Sequence, residues 1–187
     1  MAIDLREHKL DRAFGHLDVG GGGEIDREDL LGLGARLLVG FGESPTSLTG
    51  RRLVDGLDGI WAALTRALDR DADARLTAAD FRAGMTAAFV AGELFQPVFH
   101  PAAEAVADLC DHDRDGRVGP REFRVMLSAF GVAYDEVDEA FDRLDRDRDG
   151  TLTVSELVAA AREYYTGDDP HAAGNWLFGP LWETSCL

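Results

Sequence analysis

Two twelve-residue stretches carry the densest chemistry in the chain: DHDRDGRVGPRE at 111–122 and DRDRDGTLTVSE at 145–156. Each places carboxylates at its first, third and fifth positions, glycine at the sixth and glutamate at the twelfth. That is the D-x-[DN]-x-[DN]-G-x₅-E spacing of a calcium loop. Ca²⁺ takes six to eight hard oxygens at about 2.3–2.6 Å, and a chain that curls through this spacing turns those groups inward. The glycine takes the sharp bend, where a positive φ carries no Cβ penalty. The seventh residue needs only its carbonyl, so any side chain is tolerated there. The expected ligands are Asp111, Asp113, Asp115, the Arg117 carbonyl and Glu122 in one loop. In the other they are Asp145, Asp147, Asp149, the Thr151 carbonyl and Glu156.

With this template a third stretch becomes readable, DRDADARLTAAD at 69–80, in which Asp69, Asp71, Asp73, the Arg75 carbonyl and Asp80 take the ligand positions. Ala74 replaces the bend glycine, which costs roughly 1–2 kcal/mol if the left-handed geometry is required. Asp80 is one methylene shorter than the usual glutamate and more naturally gives one oxygen than two. Lower coordination and poorer Ca²⁺/Mg²⁺ discrimination follow, so Mg²⁺ is admitted at this loop. A fourth stretch, DVGGGGEIDRED at 18–29, aligns as well, but Gly20 and Gly22 stand where the third and fifth carboxylates belong. It is read as a degenerate loop without a tight ion. About three Ca²⁺ ions per chain are expected.

Such loops work only if helices hold their ends. The eighth position is Ile25, Leu76, Val118 and Leu152, always a residue suited to a short strand that pairs two loops. The residue after each loop is Leu30, Phe81, Phe123 or Leu157, and the one before is Leu17, Leu68, Cys110 or Leu144. These apolar positions anchor the flanking helices in a core. An all-α fold is therefore expected: four helix-loop-helix units of the EF-hand type, in two paired lobes packed into one body, with short strand pairs between loops. The lobes are placed at 1–92, holding loops 18–29 and 69–80, and at 93–187, holding loops 111–122 and 145–156 and an apolar tail at 175–187. Ser47 or Thr46 is expected to cap a long helix ending at Leu68, and Thr77 with Asp80 to cap the next. Pro97 and Pro101 are expected to break the chain before a helix ending at Cys110. The tail residues Trp176, Leu177, Phe178, Leu181 and Trp182 are read as a plug for a groove between the lobes.

Composition narrows the function classes. The formal charge of -16 repels nucleic-acid phosphates and anionic membranes and attracts cations. No apolar run approaches the roughly 20 residues of a membrane span, and the first residues lack a secretory apolar segment. Cys110 and Cys186 form no disulfide or zinc pattern. A cytoplasmic monomer without nucleic-acid or membrane partners is expected. His8, His16, His100, His112 and His171 are scattered, with no nucleophile elbow, HExxH or Walker pattern, so no enzyme is expected.

On the motifs DHDRDGRVGPRE, DRDRDGTLTVSE and DRDADARLTAAD and the tail DDPHAAGNWLFGPL, the whole chain resembles the sarcoplasmic calcium-binding protein family, in particular its calerythrin-like bacterial members. The wide gap between the first two loops is similar to that family too. The resemblance implies two paired EF-hand lobes with one or more inactive loops. An intracellular Ca²⁺ buffer or modest regulator is the leading expectation. With only three methionines against ten phenylalanines, the chain lacks the adaptable groove of a typical sensor. A sensor exposing an apolar surface to a protein partner, and a carrier of a small apolar ligand, remain open.

Overall fold

The computed structural model describes residues 4–181. The first unit consists of α1 (Leu5–Leu17), the two-residue strand β1 (Glu24–Ile25) and α2 (Arg27–Phe41). Asp4 opens α1 by accepting hydrogen bonds from the backbone N–H groups of Arg6 and Glu7, satisfying donors a helix start leaves free. Leu10, Ala13, Phe14 and Leu17 then fall on one buried face, as a 3.6-residue period requires. Asp26 and Asp29 form a reciprocal capping box on α2, and Gly42 ends it in the left-handed conformation with φ 65°.

The second unit is α3 (Leu48–Ala67), β2 (Leu76–Thr77) and α4 (Ala78–Met85), which runs on as a π-helical turn at Thr86–Val90. Ser47 caps α3 through the Gly50 N–H. A second π-helical turn at Phe95–Phe99 leads directly into α5 (His100–Cys110). The expected proline break is thus absent. Pro97 lies within the first turn of this helical run, and Pro101 is the second residue of α5, where a missing N–H disturbs nothing. The remaining elements are β3 (Arg117–Val118), α6 (Pro120–Ala129), α7 (Val137–Leu144), β4 (Leu152–Thr153) and α8 (Val154–Thr166).

The strands pair as the apolar eighth positions require. β1 and β2 are antiparallel with Ile25 opposite Leu76, and β3 and β4 are antiparallel with Val118 opposite Leu152. All four of these residues are fully buried. One continuous core joins all four units. The α3–α5 packing is close because Gly56 has no side chain: a Cβ there would lie 2.9 Å from Ala102 Cα.

The segment after α8 returns to this core. Leu177 and Phe178 are buried, and the Phe178 ring packs on Phe130, His16 and Tyr164 at centroid distances of 4.6, 4.9 and 4.9 Å. Lys9 of α1 is fully buried and holds the same segment. Its ammonium donates to the Glu163 and Gly167 carbonyls at 3.0 and 2.8 Å and to Asn175 Oδ1 at 3.0 Å. Arg12 adds bonds to the carbonyls of Phe178 and Pro180. Trp176 lies under Arg143, whose guanidinium sits 4.6 Å from the indole centre, while Trp182 and Cys186 fall outside the described residues.

Candidate metal centres

Asp111 is the residue at which α5 ends, with φ −72° and ψ 70°. Its carboxylate accepts the N–H groups of Asp115 and Gly116, both at 2.9 Å. Two left-handed residues, Arg114 (φ 62°) and Gly116 (φ 83°), curl the chain around it. The 145–156 loop repeats this construction. Asp145 ends α7 and accepts the N–H groups of Asp149 at 3.2 Å and Gly150 at 2.9 Å. Arg148 (φ 59°) and Gly150 (φ 85°) are its left-handed residues.

This backbone path brings the carboxylates together. Oxygens of Asp111, Asp113 and Asp115 lie within 4.8 Å of one another, as do those of Asp145, Asp147 and Asp149. Among the described residues these are the two clusters of three or more acidic, histidine or cysteine side chains with that spacing. Three carboxylates at such distances repel one another unless a cation joins them. An all-oxygen donor set of this charge fits a hard divalent ion and not a soft one.

Glu122 and Glu156 stand outside these triads, on the first turns of α6 and α8. Glu122 accepts the N–H groups of Gly119 at 2.8 Å and His112 at 3.1 Å. Glu156 accepts the Thr153 N–H and hydroxyl, both at 2.8 Å. Glu156 therefore completes a reciprocal capping box with Thr153, whereas Glu122 caps only the Gly119 N–H, since glycine has no side chain to return the bond. Arg117 and Thr151, the expected carbonyl donors, sit at and beside the β3–β4 pair.

The strand pair also produces a contact not visible in either loop alone. The Arg117 side chain crosses to the other loop, pairing with Asp149 and donating to Thr151 Oγ1 at 2.7 Å. Hydrogen bonds from Thr151, and then from Arg117, hold the Asp149 carboxyl below the usual carboxylate range. The signal for this reach was the shared eighth-position register, which sets the seventh residue of one loop beside the next.

The 69–80 loop is built differently. Asp69 itself is left-handed, with φ 53°, whereas the residues at the fourth and sixth positions, Ala72 and Ala74, are not. The Asp69 N–H bonds to the Arg66 carbonyl and the Arg70 N–H reaches back to the Thr65 carbonyl at 2.8 Å. These two bonds make a Schellman stop for α3. Trp61 Nε1 fixes the segment by donating to the Ala72 carbonyl at 2.8 Å. Asp69, Asp71 and Asp73 do not form a triad of the kind seen in the later loops. Asp80 accepts the Thr77 N–H and hydroxyl, which hold its carboxyl below the usual range. Arg75 faces across the strand pair to Asp26 at 3.3 Å and Glu24 at 3.8 Å.

The glycine-rich loop shows the converse. Asp18 ends α1 with φ −75° and ψ 62° and accepts the N–H groups of Gly22 and Gly23, each at 2.8 Å. Gly21 (φ 66°) and Gly23 (φ 78°) are left-handed at the same two positions as in the third and fourth loops. The first loop has the backbone of a metal loop without the carboxylates. The second has the carboxylates on another backbone.

The family model described as EF hand domain matches residues 136–164, which span the fourth unit. Calerythrin of Saccharopolyspora erythraea is 27% identical over 169 residues, covering 89% of this chain and 96% of that protein. A solved calcium-binding protein of Streptomyces coelicolor, described as acting in prokaryotic calcium-mediated regulation, is 32% identical. It aligns with a TM-score of 0.73 over 88% of this chain and 99% of its own. Calcium-loaded apo-aequorin of Aequorea victoria, at 18% identity and a TM-score of 0.70, covers 85% of this chain and 89% of its own, and shares the fold.

Proposed function

This chain belongs to the calerythrin-like EF-hand proteins, and on that premise we propose that its calcium binding serves as a cytoplasmic buffer rather than as catalysis. The observation that carries the reading is the pair of convergent carboxylate triads, Asp111–Asp113–Asp115 and Asp145–Asp147–Asp149. Two ions go first to these loops, completed by the Arg117 and Thr151 carbonyls and by Glu122 and Glu156. Each glutamate stands on the first turn of its helix, where the ion competes with backbone N–H groups for its carboxylate.

A third ion binds more weakly at Asp69, Asp71, Asp73, the Arg75 carbonyl and Asp80, because the Schellman stop at Asp69 must first be undone. Mg²⁺ competes there, since the short Asp80 suits a lower coordination number. The 18–29 loop stays without a tight ion. The lobes divide at 92/93, each containing one loop pair, and the protein acts as a monomer. Met85 and Met126 are both buried, which supports a closed buffer over an adaptable target-binding groove.

Calorimetric titration with Ca²⁺, with and without Mg²⁺, tests this directly. Two tighter events and one weaker, Mg²⁺-sensitive event are expected. Asp145→Ala should remove one of the tight pair; the same number of tight events in that variant would refute the assignment.

A further inference from the structure

The Arg117 side chain leaves its own loop and lies against the ligands of the other. It pairs with Asp149 Oδ2 and donates to Thr151 Oγ1. Asp149 Oδ1 in turn accepts the Thr151 N–H at 2.9 Å and the Thr151 hydroxyl at 2.7 Å. A cation entering the triad of Asp145, Asp147 and Asp149 therefore meets an Asp149 carboxylate with both oxygens engaged, one of them by a positive charge. The arrangement is one-sided. The residue of the 145–156 loop equivalent to Arg117 is Thr151, which is neutral and stays on its own Asp149. Asp115, the counterpart of Asp149, accepts the Arg117 N–H at 2.8 Å and has no ion pair among the described residues.

Two effects of the guanidinium on an incoming ion oppose each other. It holds Asp149 in place, which favours binding, and it sets a like charge beside a divalent cation, which disfavours it. The first effect is redundant here. The Thr151 N–H and hydroxyl already fix the Asp149 carboxylate, and the Asp149 N–H is itself held by Asp145 at 3.2 Å. The repulsion has no such substitute, so it decides the sign.

We propose that the Arg117 guanidinium is a tethered competitor of calcium, which lowers the Ca²⁺ affinity of the 145–156 loop from a position in the neighbouring one. This rests on the reading of that loop as a calcium site. It concerns the side chain alone, and each variant below keeps the backbone carbonyl at position 117.

The test is a Ca²⁺ titration of the full chain followed by ¹H–¹⁵N NMR at the Gly150 amide. That N–H bonds Asp145 Oδ2 at 2.9 Å and so reports on the 145–156 loop. In Arg117→Met the free Ca²⁺ at half-loading should fall about two- to fivefold, the range of one partly exposed ion pair. Arg117→Lys, which keeps the charge, should lie nearer the wild type than Arg117→Met does. Arg121→Met removes an exposed charge that has no ion pair among the described residues, and should move half-loading by less than about 1.5-fold. An unchanged or raised half-loading concentration in Arg117→Met would overturn the proposal. An equal fall in Arg121→Met would assign the effect to net charge and overturn it too. A Gly150 amide that ignores Ca²⁺ in the wild-type chain would remove the calcium site itself, and the proposal with it.

Discussion

Arg117 has two roles in one residue. Its carbonyl is the proposed ligand in its own loop, while its guanidinium neutralises part of Asp149 in the neighbouring one. Such a charge lies between the two proposed ions and moderates the repulsion among carboxylates before either arrives. His16 makes the sharper prediction at this scale. In the unfolded chain its imidazole takes up a proton near the ordinary 6.5, but in the folded chain burial delays this to about 4. Between those values the unfolded state binds more protons, so stability from this residue is intact above pH 6.5 and is lost as the pH falls through 4. The wild-type chain should lose about 2–3 kcal/mol more stability than His16→Phe between pH 7 and pH 4.5, measured by denaturant unfolding. Equal losses would show that the ring is not held neutral by the fold.

At the scale of elements, the loops separate backbone shape from ligand supply. Gly21 and Gly23 give the first loop the two left-handed residues that the third and fourth loops have, and neither Gly20 nor Gly22 meets an obstacle at its missing Cβ closer than Asp18 Oδ1 at 3.9 Å. Replacing both, Gly20→Asp with Gly22→Asp, should add a calcium-binding event to the titration. A count equal to that of the wild-type chain would mean that the backbone alone does not define the site. Much of this level was legible from residue types. The repeated apolar frame fixed the strand register through Ile25, Leu76, Val118 and Leu152, and Ser47 and Thr77 marked helix starts correctly. The backbone of the 69–80 loop was not legible. Ala74 announced that the usual bend would be unfavourable, but only the helix-ending bonds of Asp69 and Arg70, together with the Trp61 anchor, select the alternative. Nor could the prolines be placed, since Pro97 and Pro101 fall at the start of a helical run where their missing N–H groups are harmless. His16 carried no sequence signal, because its tautomer is set by a carbonyl far along the chain, that of Phe130.

Across the whole molecule, a formal charge of -16 works against compaction, and bound calcium relieves it. Ligation to the folded state alone should contribute about 2.7 kcal/mol per site at a free Ca²⁺ concentration one hundred times Kd. For two sites, at about 2–4 °C per kcal/mol in a chain of this size, thermal melting should rise by about 10–20 °C over the chelator-treated protein. Coincident melting curves would remove the proposed coupling between ion and fold. The single core that runs through all four units makes this a global effect, because α5 and α7, which lead into the two carboxylate triads, pack in the same interior as α1 and the returning tail.

Lys9 is the one lysine of the sequence, and it is shut inside the protein under the final turn of α8 and the segment beyond it. The folded surface therefore offers no lysine side chain to acylating or cross-linking reagents, and the chain's exposed positive charge is carried by guanidinium groups. Covalent capture of that lysine, assigned to Lys9 by peptide mass, becomes a molecular tally of how often the C-terminal segment lifts away.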